Sequence, residues 1–559
     1  MKLDIRWQAL LALVGLSLVL MLLSYQVQSA ALCTASVPAA GGTFVEGIVG
    51  RPTTLNPLLS DPYPVDRELT SLLFDGLVRY DESGQIAPAL AESWAYGEDG
   101  LTLTFTLRDD VTWHDGQPLT ADDVAFTYAL MQDEAYPGPK ELIRLWQSAT
   151  ISVIDEHAIQ FTLSQPYAPF IEATTRGILP AHLLEGLTAA DLVEAPFNAA
   201  PVGTGPFMVQ PGQEWSRSGR LRLTPNPAYW REGTQLSDIE FRFFPTAEEL
   251  LSAYRRAEVH AANGLPPTVV PDVLAEDGTR LFTSLSSRYT AAFFNLSETG
   301  APATRTKEVR QALAYGLDRA DLIDTVLNGQ GIEFEGPYLP GTWAARPDLM
   351  TRYSFQPETA AGLLDAAGWI RSEGGIRSRD GAPLTLRLIA LDVPEQRSVA
   401  EEVARQWTEL GVDVQLAIEP DVVALRAALD GRAFDVALLE ILPPADPDLY
   451  DFWSQEAMVR GQNYAGWNNR RASEALEMGR QLLPQAERAA YYEAFLRQYD
   501  GDLPALTLYQ HINTYALTSA VQEAEIGRVW EPRDRYATFP IWFLNFRDVT
   551  VSCPPAASG

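Results

Sequence analysis

The sequence predicts an α/β protein with a largely parallel sheet, divided into two or three subdomains. Three observations lead there. At 559 residues and 46% hydrophobic content, the chain exceeds what one core usually serves. Residues 384–441 alternate strand-like and helix-like segments. The N-terminal third instead carries period-two runs that read as half-buried strands and hairpins.

Lys2 and Arg6 precede the apolar run ALLALVGLSLVLMLL (9–23), short for a bilayer span and suited to a secretory leader. Small residues follow at Ser29, Ala30 and Ala31, so 1–31 reads as a signal peptide or an N-terminal anchor. Export makes a disulfide possible between the only two cysteines, Cys33 and Cys553. Lipidation of Cys33 is the rival, disfavoured by Leu32 where such signals take a small residue. Two cysteines cannot build a thiolate metal cluster.

LTLTFTL (101–107) alternates with period two and reads as a strand. The stretch TWHDGQPLTADDVAFTYAL (112–130) places His114 and Asp115 near Asp122 and Asp123, in the manner of a metal or acid/base cluster. Local chemistry favours scaffolding. Asp115-Gly116 is a turn pair, Thr120 is placed to cap a helix with Asp123 at its third position, and both later aspartates suit a helix N-terminus. ISVIDEHAIQFTL (151–163) reads as two short strands around an Asp-Glu-His tip.

Helical spacing recurs in 306–329 and 356–368. Then LTLRLIAL (384–391), SVAEEVARQWTEL (398–410), VDVQLAI (412–418), DVVALRAALDG (421–431) and FDVALLEI (434–441) alternate strand, helix, strand, helix, strand. A βαβαβ unit requires parallel pairing, and ligands of open α/β sheets lie outside the strands' carboxyl ends. That directs attention to the loop LPPADPDLYDFW (442–453), with Asp446, Asp448, Tyr450 and Trp453. Its prolines also suit a stiff linker whose aspartates cap the next helix.

Acidic residues outnumber basic ones 73 to 42, a net charge of −31, which repels nucleic acid and anionic lipid. The five histidines form no H-E-x-x-H, and there is no G-x-S-x-G elbow or P-loop. GTGPFM (203–208) starts like a dinucleotide fingerprint but has Met208 where the third glycine belongs. No catalytic residue, cofactor or metal site is expected, and the chemistry points to binding rather than turnover.

The run 74–128 resembles the signature region of the peptide/nickel class of extracytoplasmic solute-binding proteins, the receptors of bacterial ABC importers. The likeness continues through QPYAPF (165–170), PVGTGPF (201–207), NPAYW (226–230), FFNLSE (293–298), VRQALAYGLDRADLIDTVLNGQG (309–331), LLDAAGW (363–369) and the aspartate loop. It implies a two-lobed periplasmic-binding-protein-like fold of class II type, with an extra subdomain inserted in the first lobe. Residues 42–75, 196–288 and 509–553 would form lobe one, 76–195 the extra subdomain, and 289–508 lobe two. Both chain ends would then share a lobe, which makes a Cys33 to Cys553 bridge sterically plausible.

The resemblance further implies capture of a small solute, foremost a short peptide, between hinged lobes of a monomer that docks on an ABC permease and ATPase. Nickel chelates, oligosaccharides and opines stay open as ligands. Asp446, with Asp448 as the alternative, is expected to meet a ligand ammonium; Tyr63 is expected to line the cleft, with Asn295, Asn463 and Trp453 as further candidates. Relatives often carry an aromatic and a small residue where Glu440 and Ile441 stand, so Glu440 offers either a second negative charge to a cationic ligand or a solvated strand end. A secreted hydrolase using cleft carboxylates, and a peptide receptor or chaperone without a transporter, are the alternatives.

Overall fold

The structure is a computed structural model that describes residues 5–28, 32–81, 84–231, 233–526 and 532–552. Its centre is one eleven-stranded sheet. The predicted βαβαβ unit forms one end: Thr385–Leu391 pairs in parallel with Asp413–Glu419 and with Val436–Ile441, and the helices Pro394–Glu409 and Val422–Asp430 make the crossovers. In the other half Thr43–Val49 pairs in parallel with Asp238–Phe244 and Ala261–Asn263.

Two long antiparallel strands, Thr279–Phe294 and Ala505–Thr518, join these halves. The first has 16 residues, a reach of about 50 Å, where most strands stop at ten residues. Its upper part pairs with Val436–Ile441, while Ala505–Thr518 pairs lower down with Ala261–Asn263. Between the two contacts, register shifts separate Leu285 from Tyr289 and Thr290 from Ala291. A bulge unpairs and bends a strand locally, so the bend falls where one half gives way to the other.

The cores follow the strand faces. Alternate residues of the βαβαβ strands pack Leu386, Leu388, Val436 and Leu438 on one face against Val399, Val403 and Trp407, and Ile389, Ala437, Leu439 and Ile441 on the opposite face. A separate four-stranded antiparallel sheet contains Ala91–Tyr96, Thr102–Leu107, Ala158–Leu163 and Ala149–Asp155. Phe105, Tyr128, Trp146 and Phe161 are buried beneath it, in a core continuous with that of Phe44, Ile48 and Leu69.

The His114 region is scaffold. Helix Ala121–Gln132 starts with the capping box: the Thr120 N–H donates to Asp123 Oδ2 at 2.9 Å. His114 Nδ1 accepts the Gly203 N–H at 3.0 Å, and Nε2 faces the Gly205 carbonyl at 3.1 Å. Burial pushes this imidazole down to about 4, so it is neutral near pH 7. It pins the GTGPF loop, where a Cβ on Gly203 would stand 1.8 Å from the Leu73 carbonyl oxygen. The glycines thus serve close backbone packing.

At the chain's ends, Leu32–Ala39 pairs antiparallel with Asn545–Ser552, with Cys33 opposite Val551. The Cys33 side chain, Cys553 and the cleavage region Ser29 to Ala31 lie outside the described residues. Helix Ile5–Gln28 exposes Leu13, Leu16, Leu20 and Met21.

Candidate ligand-binding site

The crossing strands and the carboxyl ends of the parallel strands converge on one charged row. Glu440, next to last in Val436–Ile441, pairs in register with Thr290. Its Oε1 accepts from Arg288 Nη1 at 2.9 Å, and its Oε2 lies 3.7 Å from His511 Nε2. His511 also meets Thr290 Oγ1 at 2.9 Å and Glu395 at 3.3 Å. Glu395 stands in the first turn of Pro394–Glu409 and accepts from the Tyr509 hydroxyl at 3.0 Å. Four chain segments therefore meet where α/β sheets present ligand sites.

The charges here are unequal in character. Burial acts to raise the Glu440 carboxyl, but Arg288 and His511 outweigh it and hold the group below its usual range. Burial pushes His511 down to about 4 and drives Glu395 upward. At neutral pH the Arg288–Glu440 pair is thus the charged element beside a neutral imidazole. Its side chains keep 37% and 32% of their exposure, enough for a ligand to reach them.

A cavity of about 290 Å³ lies one step down the same strands, bounded by Phe282, Thr283 and Ser284, by Asn513 to Tyr515, and by Asn263 and Arg535. Its buried Arg535 donates to Glu46 Oε1 at 2.5 Å and to Glu68 Oε2 at 2.7 Å. Tyr515 Oη donates to Glu46 at 3.1 Å, Asn263 Nδ2 to Glu68 at 3.1 Å, and the guanidinium stacks on Tyr536 at 4.1 Å. Two carboxylates share this guanidinium, and burial pushes Glu46 up despite it.

The aspartates of the 442–453 loop are paired within the chain. Both oxygens of Asp446 accept from Arg488, one of them at 2.5 Å, and Arg488 also donates to Tyr492 Oη at 2.8 Å. Asp448 accepts from Arg480 at 2.6 Å and from the Tyr167 hydroxyl at 3.3 Å. Trp453 is buried, stacked on Phe293 at 5.1 Å. Asn463 is buried and holds a turn through the Ser454 and Trp467 carbonyls at 2.9 and 3.0 Å.

Asn295 sits at the far end of its strand, bonded to the Phe434 carbonyl at 2.8 Å, beside the start of Val436–Ile441 rather than its carboxyl end. Tyr63 is 48% exposed as the residue preceding helix Pro64–Leu73. Of the sequence candidates, the structure brings Glu440 to the crossing strands and Asp446 and Asp448 to one loop. Asn295, Asn463 and Trp453 serve packing and turns.

Sequence reasoning missed Arg288, Glu395, His511 and Arg535. No local pattern marks them, because each gains its meaning from partners far along the chain; Arg535 and Glu46 are 489 positions apart.

Comparison with known proteins agrees with this architecture. The sequence profile of bacterial extracellular solute-binding proteins, family 5, matches residues 85–459. The oligopeptide-binding protein AppA of Bacillus subtilis is 25% identical over 527 residues, covering 92% of this chain and 94% of that protein. Protein XP55 of Streptomyces lividans is 30% identical, covering 85% and 84%. The solved structure of Bacillus subtilis AppA with a nonapeptide superposes with a TM-score of 0.74, covering 91% of this chain and all of that one. The substrate-binding protein CtaP of Listeria monocytogenes, at 24% identity, matches in fold with a TM-score of 0.77 over 90% of this chain and 99% of that one. The protein therefore has the two-lobed α/β fold of these receptors, and the chain belongs to the family 5 bacterial extracellular solute-binding proteins.

Proposed function

We propose that this protein captures a short peptide at the crossing strands between its lobes, closes over it by a hinge at 285–289 and the facing part of Ala505–Thr518, and hands it chemically unaltered to an ABC permease. The family consists of solute-binding proteins rather than enzymes. Peptide as the ligand is supported by relatives named for oligopeptide and dipeptide binding. The observation that carries the reading is the cavity on the same two crossing strands as Arg288 and His511, strands that belong to both halves of the sheet.

In this reading 42–75, 196–288 and 509–553 make lobe one, 289–508 lobe two and 76–195 the inserted subdomain. The chain works as a monomer outside the cytoplasmic membrane, exported by residues 1–31 or anchored by them, with Cys33 and Cys553 bridged near the terminal ribbon. We assign the ammonium-facing carboxylate to Glu440 in place of Asp446, because both Asp446 oxygens are occupied by Arg488. A charge-assisted bond to a half-exposed carboxylate needs only exchange with Arg288. Such exchange is cheap because exposed pairs contribute about 0–1 kcal/mol.

Native mass spectrometry of the purified protein followed by calorimetry with defined di- to nonapeptides tests this. Binding that weakens on N-acetylation of the peptide supports the assignment. Failure of every peptide to bind, or recovery of cleaved peptide after incubation, rejects it.

A further inference from the structure

The parallel strands of the βαβαβ unit end in an exposed aliphatic rim. Val393, Val422, Val423 and Leu442 keep 37%, 67%, 79% and 42% of their exposure, and Pro394 and Pro444 beside them are exposed as well. These residues follow the carboxyl ends of Thr385–Leu391, Asp413–Glu419 and Val436–Ile441. Register draws them into one row. Leu391 pairs with Glu419 and Ile389 with Ala437, and past the last ladder pair the Asp392 N–H still donates to the Glu419 carbonyl at 2.8 Å. By the same count Val393 stands level with Asp421 on one side and Ile441 on the other, with Val422 and Leu442 one residue further. Neighbouring strands lie about 4.8 Å apart, so the row crosses about 10 Å.

A single exposed aliphatic side chain is ordinary, whereas a row of them in register marks a surface that something covers. The row continues the charged site along the chain. Glu440, held by Arg288 at 2.9 Å, lies two positions before Leu442, and Glu395, which accepts from the Tyr509 hydroxyl at 3.0 Å, lies two positions after Val393. The carboxylates between them already have partners: Asp392 pairs with Arg397 at 2.7 Å, and Asp421 accepts the Ala424 N–H at 2.8 Å as the cap of its helix. What the rim leaves open to a guest is aliphatic.

We propose that this rim is a side-chain subsite that selects peptides whose second and third residues are aliphatic. The inference rests on the capture of a peptide ammonium at Glu440 set out above. An extended peptide advances about 3.3 Å per residue. With its ammonium at Glu440, its second residue passes Leu442 and Val393, and the side chain of its third reaches Val422 and Val423 beside the edge strand Asp413–Glu419. An aliphatic side chain laid there takes water off both surfaces. A polar side chain of the same size gives up its hydrogen bonds to water and finds none in return.

Calorimetry of the whole protein with two near-isosteric tetrapeptides, Ala-Leu-Val-Ala and Ala-Asn-Thr-Ala, reads this directly. Wild type is expected to bind the aliphatic peptide about tenfold more tightly. The double variant Val422→Thr/Val423→Thr, which keeps the branched shape, is expected to bring the two affinities within about threefold of each other. Val459→Thr is the control. It is 85% exposed but follows Met458, whose carbonyl accepts from Arg432 at the amino-terminal end of Val436–Ile441, so it should keep the wild-type ratio. Equal binding of the two peptides by wild type, or a ratio that the double variant does not move, overturns the subsite and leaves the proposed function in place. A wild-type dimer in sedimentation that the double variant dissociates also overturns it, by giving the rim to a second copy of the chain. Failure of both peptides, and of the wider peptide series, to bind removes the proposed function and the subsite with it.

Discussion

Arg535 and Arg288 both bridge the crossing-strand region to glutamates, yet they stand in opposite physical regimes. Arg535 is fully buried and holds two buried carboxylates, Glu46 and Glu68, drawn from a strand and a helix. Arg288 holds Glu440 from a neighbouring strand, and both keep about a third of their exposure. Charge taken out of water is held rigidly, because loss of one partner strands the other in low dielectric. Charge left half in water exchanges easily. One ion pair builds the frame, and the other stays within reach of solvent.

The sharpest way to break that contrast is Arg535→Met. It leaves Glu46 and Glu68 uncompensated and is expected to cost about 3–5 kcal/mol, read as a drop in thermal or urea midpoint; a variant as stable as wild type would void the distinction. Next is pH. His511 is buried neutral with a folded value near 4, below its usual 6.5. The unfolded chain then binds the extra proton, so stability is retained above about 6.5 and lost as pH falls toward 4, by on the order of 3 kcal/mol. His511→Gln should flatten that slope in unfolding measured from pH 7 to 4. The smallest effect belongs to Glu440→Gln: less than about 1 kcal/mol in stability, with peptide affinity lower by about tenfold, or ~1.4 kcal/mol. A stability loss as large as that of Arg535→Met would place Glu440 in the frame instead.

Much of the fold was legible because its signals are local. The alternation in 101–107 and 384–391 and the Thr120/Asp123 cap are decided by neighbours within one turn or one strand, and they appear as Thr102–Leu107, Thr385–Leu391 and the start of Ala121–Gln132. The acidic loop after Ile441 was legible as a place of interest too. What its aspartates face was not: Arg480 and Arg488 arrive from helices 32 and 42 positions later, and no spacing rule predicts which of 73 carboxylates meets which cation. Asn295 shows the same limit from the other side. Its motif suggested a cleft, while strand direction carried it to the opposite end of the sheet.

Taken by itself, the sequence determined the class of the fold, the parallel unit and the resemblance to importer receptors, since periodicity, capping and motif order are written along the chain. Only the tertiary structure decided which charges are buried together and which remain reachable. Ion pairing depends on distance and on the water excluded around it, and both are set by segments hundreds of residues apart.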